Sequence, residues 1–209
     1  GSVDYSASTP LVFPGTIAET LDNPTSIPQT VTYTFTTSAN SCADAVTVVS
    51  VIVNPTPTLT NLPDVTTICS GDQLSFVPTS DVAGVVFTWS SAISANITGN
   101  TNGTGTLDDI LTNTGDAIET VTYTVTATGP GPEFCVSATS EDYVVTVDPV
   151  VTQVISNNDA VVCEGIAVDI DYDSPTENAL MSVQAVYPGG VTGSVDYSAS
   201  TPLVFPGTI

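Results

Sequence analysis

Apolar and hydroxyl side chains trade places along several stretches of the chain. In residues 119–128 (ETVTYTVTAT), Val121, Tyr123 and Val125 fall on one face, and Thr120, Thr122, Thr124 and Thr126 fall on the other. Residues 29–37 repeat the pattern with Val31, Tyr33 and Phe35. Successive side chains of an extended chain point to opposite faces. Strict alternation with Thr outward therefore predicts half-buried antiparallel strands. Residues 142–147 and 46–53 are β-rich runs that follow these strands at hairpin distance. Residues 73–77 place Leu74 and Phe76 on one face, and residues 167–172 place Val168 and Ile170 there. A further strand is predicted at residues 85–89, ending on Trp89, the single tryptophan. Turns rich in Gly, Pro and Asn separate the runs, and no segment carries a helical stripe. The expectation is an all-β sandwich.

Self-similarity sets how many sandwiches there are. Residues 1–17, GSVDYSASTPLVFPGTI, recur letter for letter as residues 193–209, a spacing of 192 residues. Within that period lies a weaker repeat. Residues 30–34 (TVTYT) match residues 120–124, and Gly15, Thr16, Leu21 and Asn23 fall on Gly105, Thr106, Leu111 and Asn113 at the same offset of 90. Ile68-Cys69-Ser70-Gly71 parallels Val162-Cys163-Glu164-Gly165, and residues 52–55 parallel 146–149, both at an offset of 94. The period thus holds two diverged modules of about 96 residues each, the size of an Ig-like β-sandwich domain. The fold expectation becomes tandem Ig-like modules cut out of an array. Residues 1–56 are the rear part of module A, 57–63 a linker, and 64–149 a complete module B. Residues 150–159 are then a second linker, and 160–209 the front part of the next module A. With no initiator Met and no signal-like start, the sequence reads as mature chain or an excised piece.

Composition narrows the functions available. Among 209 residues there are 22 acidic side chains and no Lys, Arg or His, for a formal charge of −22. An average chain of this length carries roughly 25 Lys and Arg. Without cations there is no phosphate-backbone binding and hence no nucleic-acid partner. Without His or Lys no general base near neutrality is evident, so an enzyme is not expected. No apolar run approaches the roughly 20 residues of a membrane span. Hydrophobic content of 41% is nonetheless enough for packed cores, and 35 threonines fit a β composition.

Few residues are candidates for chemistry. The four cysteines fall two to a module at matching positions. Cys69 and Cys135 are expected to bridge within module B, closing a 66-residue loop, a link worth about 4 kcal/mol in the chain-entropy view. Cys42 and Cys163 are each expected to pair with an adjacent repeat copy. No close Cys/His spacing points to zinc, and structural disulfides imply an oxidising, extracytoplasmic compartment. Asp169, Asp171 and Asp173 have two readings, a solvated acidic strand face or a weak calcium site. They lack the glycine and spacing of an EF-hand, and Ser75, Val77 and Thr79 occupy the sister positions. Calcium is the one cofactor to which these residues point. Asn96 and Asn102 head formal glycosylation triplets of a kind frequent by chance in Thr-rich chains.

The strings T-V-T-Y-T-V, a cysteine about a dozen residues on, V-x-V-[ND]-P and then [IV]-C-x-G resemble the PKD-like, Ig-like modules (polycystic-kidney-disease-like domains). Bacteroidota string such modules along giant cell-surface proteins, including gliding-motility adhesins and other type IX secretion cargo. The resemblance implies an extracellular, cell-surface stalk or filament segment acting in adhesion. Its partners would be neighbouring repeats of the same polypeptide, and beyond them other filaments or surface glycans. The alternative implied role is a carbohydrate- or calcium-binding module displayed on a surface protein.

Overall fold

The computed structural model describes residues 14–39, 42, 44–62, 65–131, 135–136, 140–183, 185–193 and 207–208. Most of both copies of the repeated 17-residue segment lies outside the described residues, as do Pro63 and Asp64. The described strands are β1 (Gln29–Thr37), β2 (Ala45–Val53), β3 (Val65–Cys69), β4 (Val86–Ile93), β5 (Ile97–Thr98) and β6 (Gly103–Thr104). They continue with β7 (Thr112–Asn113), β8 (Glu119–Thr128), β9 (Glu141–Asp148), β10 (Val154–Asn157), β11 (Ile170–Asp173) and β12 (Gly207–Thr208). The all-β expectation holds. Among the described residues no helix is long and apolar enough to cross a membrane.

Module B is a two-layer sandwich. Its larger layer is a five-stranded sheet in the order β3-β9-β8-β4-β6. Alternation sets the register: Val121 opposes Val145 and Tyr123 opposes Tyr143 across β8 and β9, while Trp89 opposes Val125 across β4 and β8. All these apolar residues turn to one side. There they meet Leu74, Ile97, Leu107 and Leu111 of the second layer, and Val121, Tyr123, Val125, Val145 and Val147 are fully buried. The Phe76 and Tyr143 rings pack at 4.7 Å between centroids. At roughly 2 kcal/mol per fully buried large apolar side chain, this interior is ample for one small domain.

The second layer is thinner than the alternation at residues 73–77 predicts. It consists of the β5–β7 pair and isolated bridges at Leu59–Ser80, Gln73–Ile110 and Phe76–Leu107. Pro78, having no N–H to donate, follows directly on this stretch and limits the ladder.

Two expected linkers are strand-like parts of modules instead. Residues 57–63 were to be a junction, but Pro57 is fully buried and the Thr60 N–H donates to the Thr79 carbonyl at 3.0 Å. Asn61 clamps the same pair of segments, donating to the Val77 carbonyl and accepting from the Thr79 N–H. Residues 150–159 likewise contain β10, which pairs with β11 from Val154–Asp173 to Asn157–Ile170. At residues 57–62 burial and backbone pairing, and at residues 150–159 backbone pairing alone, outweigh the turn-like composition that suggested a linker.

The path of the chain through module B carries the functional argument. β3 lies parallel to β9, from Val65 opposite Val144 to Cys69 opposite Asp148. The chain therefore enters at the end of the sandwich remote from Asp148 and leaves at the end where Asp148 lies.

Candidate functional site

Side-chain hydrogen bonds tie several segments together at the exit end of module B. At the exit end, Asn113 is 4% exposed and ties three segments together. Its Nδ2 donates to the carbonyls of Ala117 at 2.8 Å and Val147 at 2.9 Å, and its Oδ1 accepts from the Gly115 N–H at 2.9 Å. Ser70 joins the layers there, its N–H donating to the Asp148 carbonyl and its hydroxyl accepting from the Asn113 N–H. Gly71, at φ 92°, turns the chain in a left-handed conformation that side-chain-bearing residues avoid. Deeper in the core, Asp109 accepts from the Tyr123 hydroxyl at 2.6 Å and from the N–H and hydroxyl of Thr101 at 2.8 and 2.7 Å. Burial, and then the hydrogen bond to Asp109, hold the Tyr123 phenol well above its ordinary pKa of 10.0.

The same devices recur in the sister pieces. Asn23 donates to the Ile27 and Val53 carbonyls and accepts from the Thr25 N–H, as Asn113 does with its partners. The Tyr33 hydroxyl donates to Glu19 where Tyr123 donates to Asp109. The Ile166 N–H donates to the Cys163 carbonyl as the Asp72 N–H does to Cys69, both at 3.1 Å, with Gly165 at φ 83°. The β10–β11 register is that of Leu59 opposite Ser80, displaced by 94 residues in each strand.

The next segment is hydrogen-bonded onto the exit end. The Glu177 carboxylate accepts from the Ile118 N–H at 2.9 Å, and the Glu177 N–H donates to the Asp116 carbonyl at 2.7 Å. Thr176, 6% exposed, accepts from the Thr152 N–H at 2.9 Å, while the Ser174 hydroxyl donates to the Thr152 carbonyl at 2.6 Å. Pro149 is buried beside this junction. These bonds hold residues 174–177 against the exit end of module B.

The cysteine expectation for module B is corrected. Cys69 and Cys135 are free thiols. Cys69 pairs opposite Asp148 at the exit end, whereas Val136, next to Cys135, bridges Thr128 at the far end of β8. Ten residues of β8 separate those ends, about 30 Å at strand rise, against roughly 7 Å between Cα atoms that a disulfide spans. Cys42, in the turn after β1, and Cys163 are also free in this chain. The calcium expectation fails on geometry too. Asp169, Asp171 and Asp173 stand on one exposed strand face, Asp171 accepting from Asn158 Nδ2 and Asp173 from the Ser174 N–H. Among the described residues no three acidic or cysteine side chains converge on a point that suits a cation. Trp89, 8% exposed and lying against Gly103, belongs to the core and offers no stacking platform for a sugar. The Asn113 knot and the Glu177 contacts went unread in the sequence. The alignment of Asn23 with Asn113 was the one signal that pointed there.

Residues 66–151 match the model of the PKD-like domain. This stretch, the two-layer sandwich described above, is thus a PKD-like, Ig-like module. Comparison with the curated proteins and with the solved structures gives no match.

Proposed function

We propose that this chain is a non-catalytic structural segment of an extracellular filament or stalk, built from tandem Ig-like repeats, in a bacterial surface adhesin. The giant surface proteins of Bacteroidota, with their gliding-motility adhesins and type IX secretion cargo, are the setting in which such modules fit. Residues 14–56 serve as the rear of module A, and residues from 150 onward as the front of the following one. The observation that carries this reading is the chain path: entry and exit lie at opposite ends of module B, and the following segment is hydrogen-bonded to the exit end through Glu177, Asp116 and Ile118. Units joined so contact mainly their neighbours, and length grows with copy number. The charge of −22 keeps neighbouring filaments apart and the surface soluble.

Electron microscopy of chains carrying two, four and six copies of the 192-residue period tests the reading. Each period holds two modules of roughly 35 Å, so contour length should grow by about 70 Å per added copy at constant width. Particles that instead become rounder as copies are added overturn it.

A further inference from the structure

The four cysteines obey one rule of placement. In each module the first lies in the turn at the exit end and the second in the loop at the entry end. Cys69 and Cys163 open equivalent turns, with Gly71 and Gly165 at φ 92° and 83° and the N–H groups of Asp72 and Ile166 donating to the cysteine carbonyls at 3.1 Å. Cys135 lies beyond β8, where its carbonyl accepts from the Gly129 N–H at 2.7 Å, and Cys42 lies beyond β1, the counterpart of β8. A module therefore holds its own two thiols at opposite ends.

The exit-end thiol stands beside the junction. Ser70, next to Cys69, is bonded to Asn113, and Asn113 to the Ala117 carbonyl. The residues on either side of Ala117, Asp116 and Ile118, are the partners of Glu177. The entry-end thiol belongs beside the same contact. Glu177 lies in the loop after β11, and its counterpart at the offset of 94 is Ala83. The backbone shows the equivalence: Asn178, at φ 57°, is the one non-glycine residue with positive φ among the described residues, and it falls on Gly84 at φ 74°. In module B this loop packs on the loop of the second cysteine. A Cβ built on Gly84 would stand 3.7 Å from Pro130 Cβ, and one on Gly129 would stand 3.8 Å from Cys135 Cβ.

Resting on the tandem-repeat reading, we propose that a disulfide crosses each junction between modules, joining Cys69 to the Cys42 of the following repeat and Cys163 to the Cys135 of the following repeat. Where a complete module A follows module B, the Glu177 loop carries the neighbouring Cys42 loop to the end at which Cys69 is exposed. By the repeat, the junction from module A to module B receives Cys163 and Cys135 in the same way. Each junction thus takes one thiol from either side, and the matching positions in the two modules serve bridges between units. Each bond forms by exchange with an external disulfide such as oxidised glutathione. Two protein thiols give up two protons and two electrons, and the external disulfide is reduced to two thiols.

A single chain of residues 1–209 followed by 18–209 contains one complete junction of each kind and eight cysteines. After refolding in reduced and oxidised glutathione, it is digested without reductant by a protease specific for acidic residues. Mass spectrometry should then find peptides linking Cys69 to Cys42 and Cys163 to Cys135, with four thiols still reactive toward a maleimide. C69S should remove the first link and leave the second. Amide exchange of the internal β1–β2 hairpin reads the tandem arrangement separately. If that hairpin is protected while all thiols stay free, or while links join Cys69 to Cys135 or Cys163 to Cys42, the junction disulfide is overturned and the tandem reading stands. If the hairpin exchanges freely, the tandem reading falls and the proposal with it.

Discussion

Replacing Asn113 by Ala tests the reasoning most directly, because the same bonds exist in a complete module and in an incomplete one. The substitution removes two donors, to the carbonyls of Ala117 and Val147, and one acceptor, from Gly115. Asn113 is 4% exposed and the Val147 carbonyl lies in the core, whereas Ala117 is exposed and Gly115 half-buried. The Val147 carbonyl left unpaired costs about 1–2 kcal/mol and the two partly solvated groups add less, so the loss should be about 2 kcal/mol. For a domain of this size that lowers Tm by roughly 8–16 °C. Trp89 is the single tryptophan and sits in the core of module B, so its fluorescence during urea unfolding reports on that module alone. Asn113→Asp, which keeps the acceptor and loses both donors, should be nearly as damaging at neutral pH. Asn23→Ala cuts the corresponding bonds to Ile27, Val53 and Thr25 in the hairpin, and should leave the Trp89 transition within about 0.5 kcal/mol of the wild type, as distant sites do. An Asn113→Ala loss below about 1 kcal/mol refutes the account of the knot. An equal effect of Asn23→Ala refutes the separateness of the two modules.

Three further outcomes are expected. Because Cys69 and Cys135 stand at opposite ends of the sandwich, a reductant should not move the Trp89 midpoint; a drop of about 4 kcal/mol on reduction would restore the bridge. The raised pKa of Tyr123 favours its protonated form in the fold. Its contribution is complete below the unfolded value of 10.0 and is lost as pH climbs above it. A Tyr123→Phe variant should therefore lose less stability than the wild type between neutral and strongly alkaline pH, and equal losses would contradict the burial argument. Asp81 accepts from the Thr58 N–H, and that bond, the largest cause, holds its carboxyl below the ordinary 3.8. The clamp on Thr58 is thus present above 3.8 and released as pH falls through the lower folded value. Following the Thr58 amide by NMR should give an acid midpoint below 3.8, and one at or above it would sink the assignment.

The long strands were legible because β1 and β8 alternate cleanly and β2 and β9 follow them as β-rich runs at hairpin distance. The pairing of modules was legible as well, since Asn23 and Asn113, Tyr33 and Tyr123, or Cys163 and Cys69 keep constant offsets, and the structure gives each pair the same bonds. What stayed hidden depends on which end of a sheet a residue reaches. Matching cysteines in two modules say nothing about that, and the parallel pairing of β3 with β9 puts Cys69 at the end away from Cys135. Pro57 and Val154 read as junction because proline and short polar runs look alike in linkers and in edge strands. The three aspartates of residues 169–173 share one strand face, as alternation requires. A straight strand spaces such groups at about 6–7 Å intervals, too far apart to converge on one ion.

The parallel alignment of β3 with β9 has a mechanical consequence. Traction on a string of such units pulls β3 and β9 in opposite senses along their common axis. The five registered pairs from Val65–Val144 to Cys69–Asp148 then carry the load in shear and must yield together rather than unzip one after another. A hairpin pulled from its open end would part at far smaller force. The placement of these two strands makes the unit stiffest along the axis that joins its entry and exit ends.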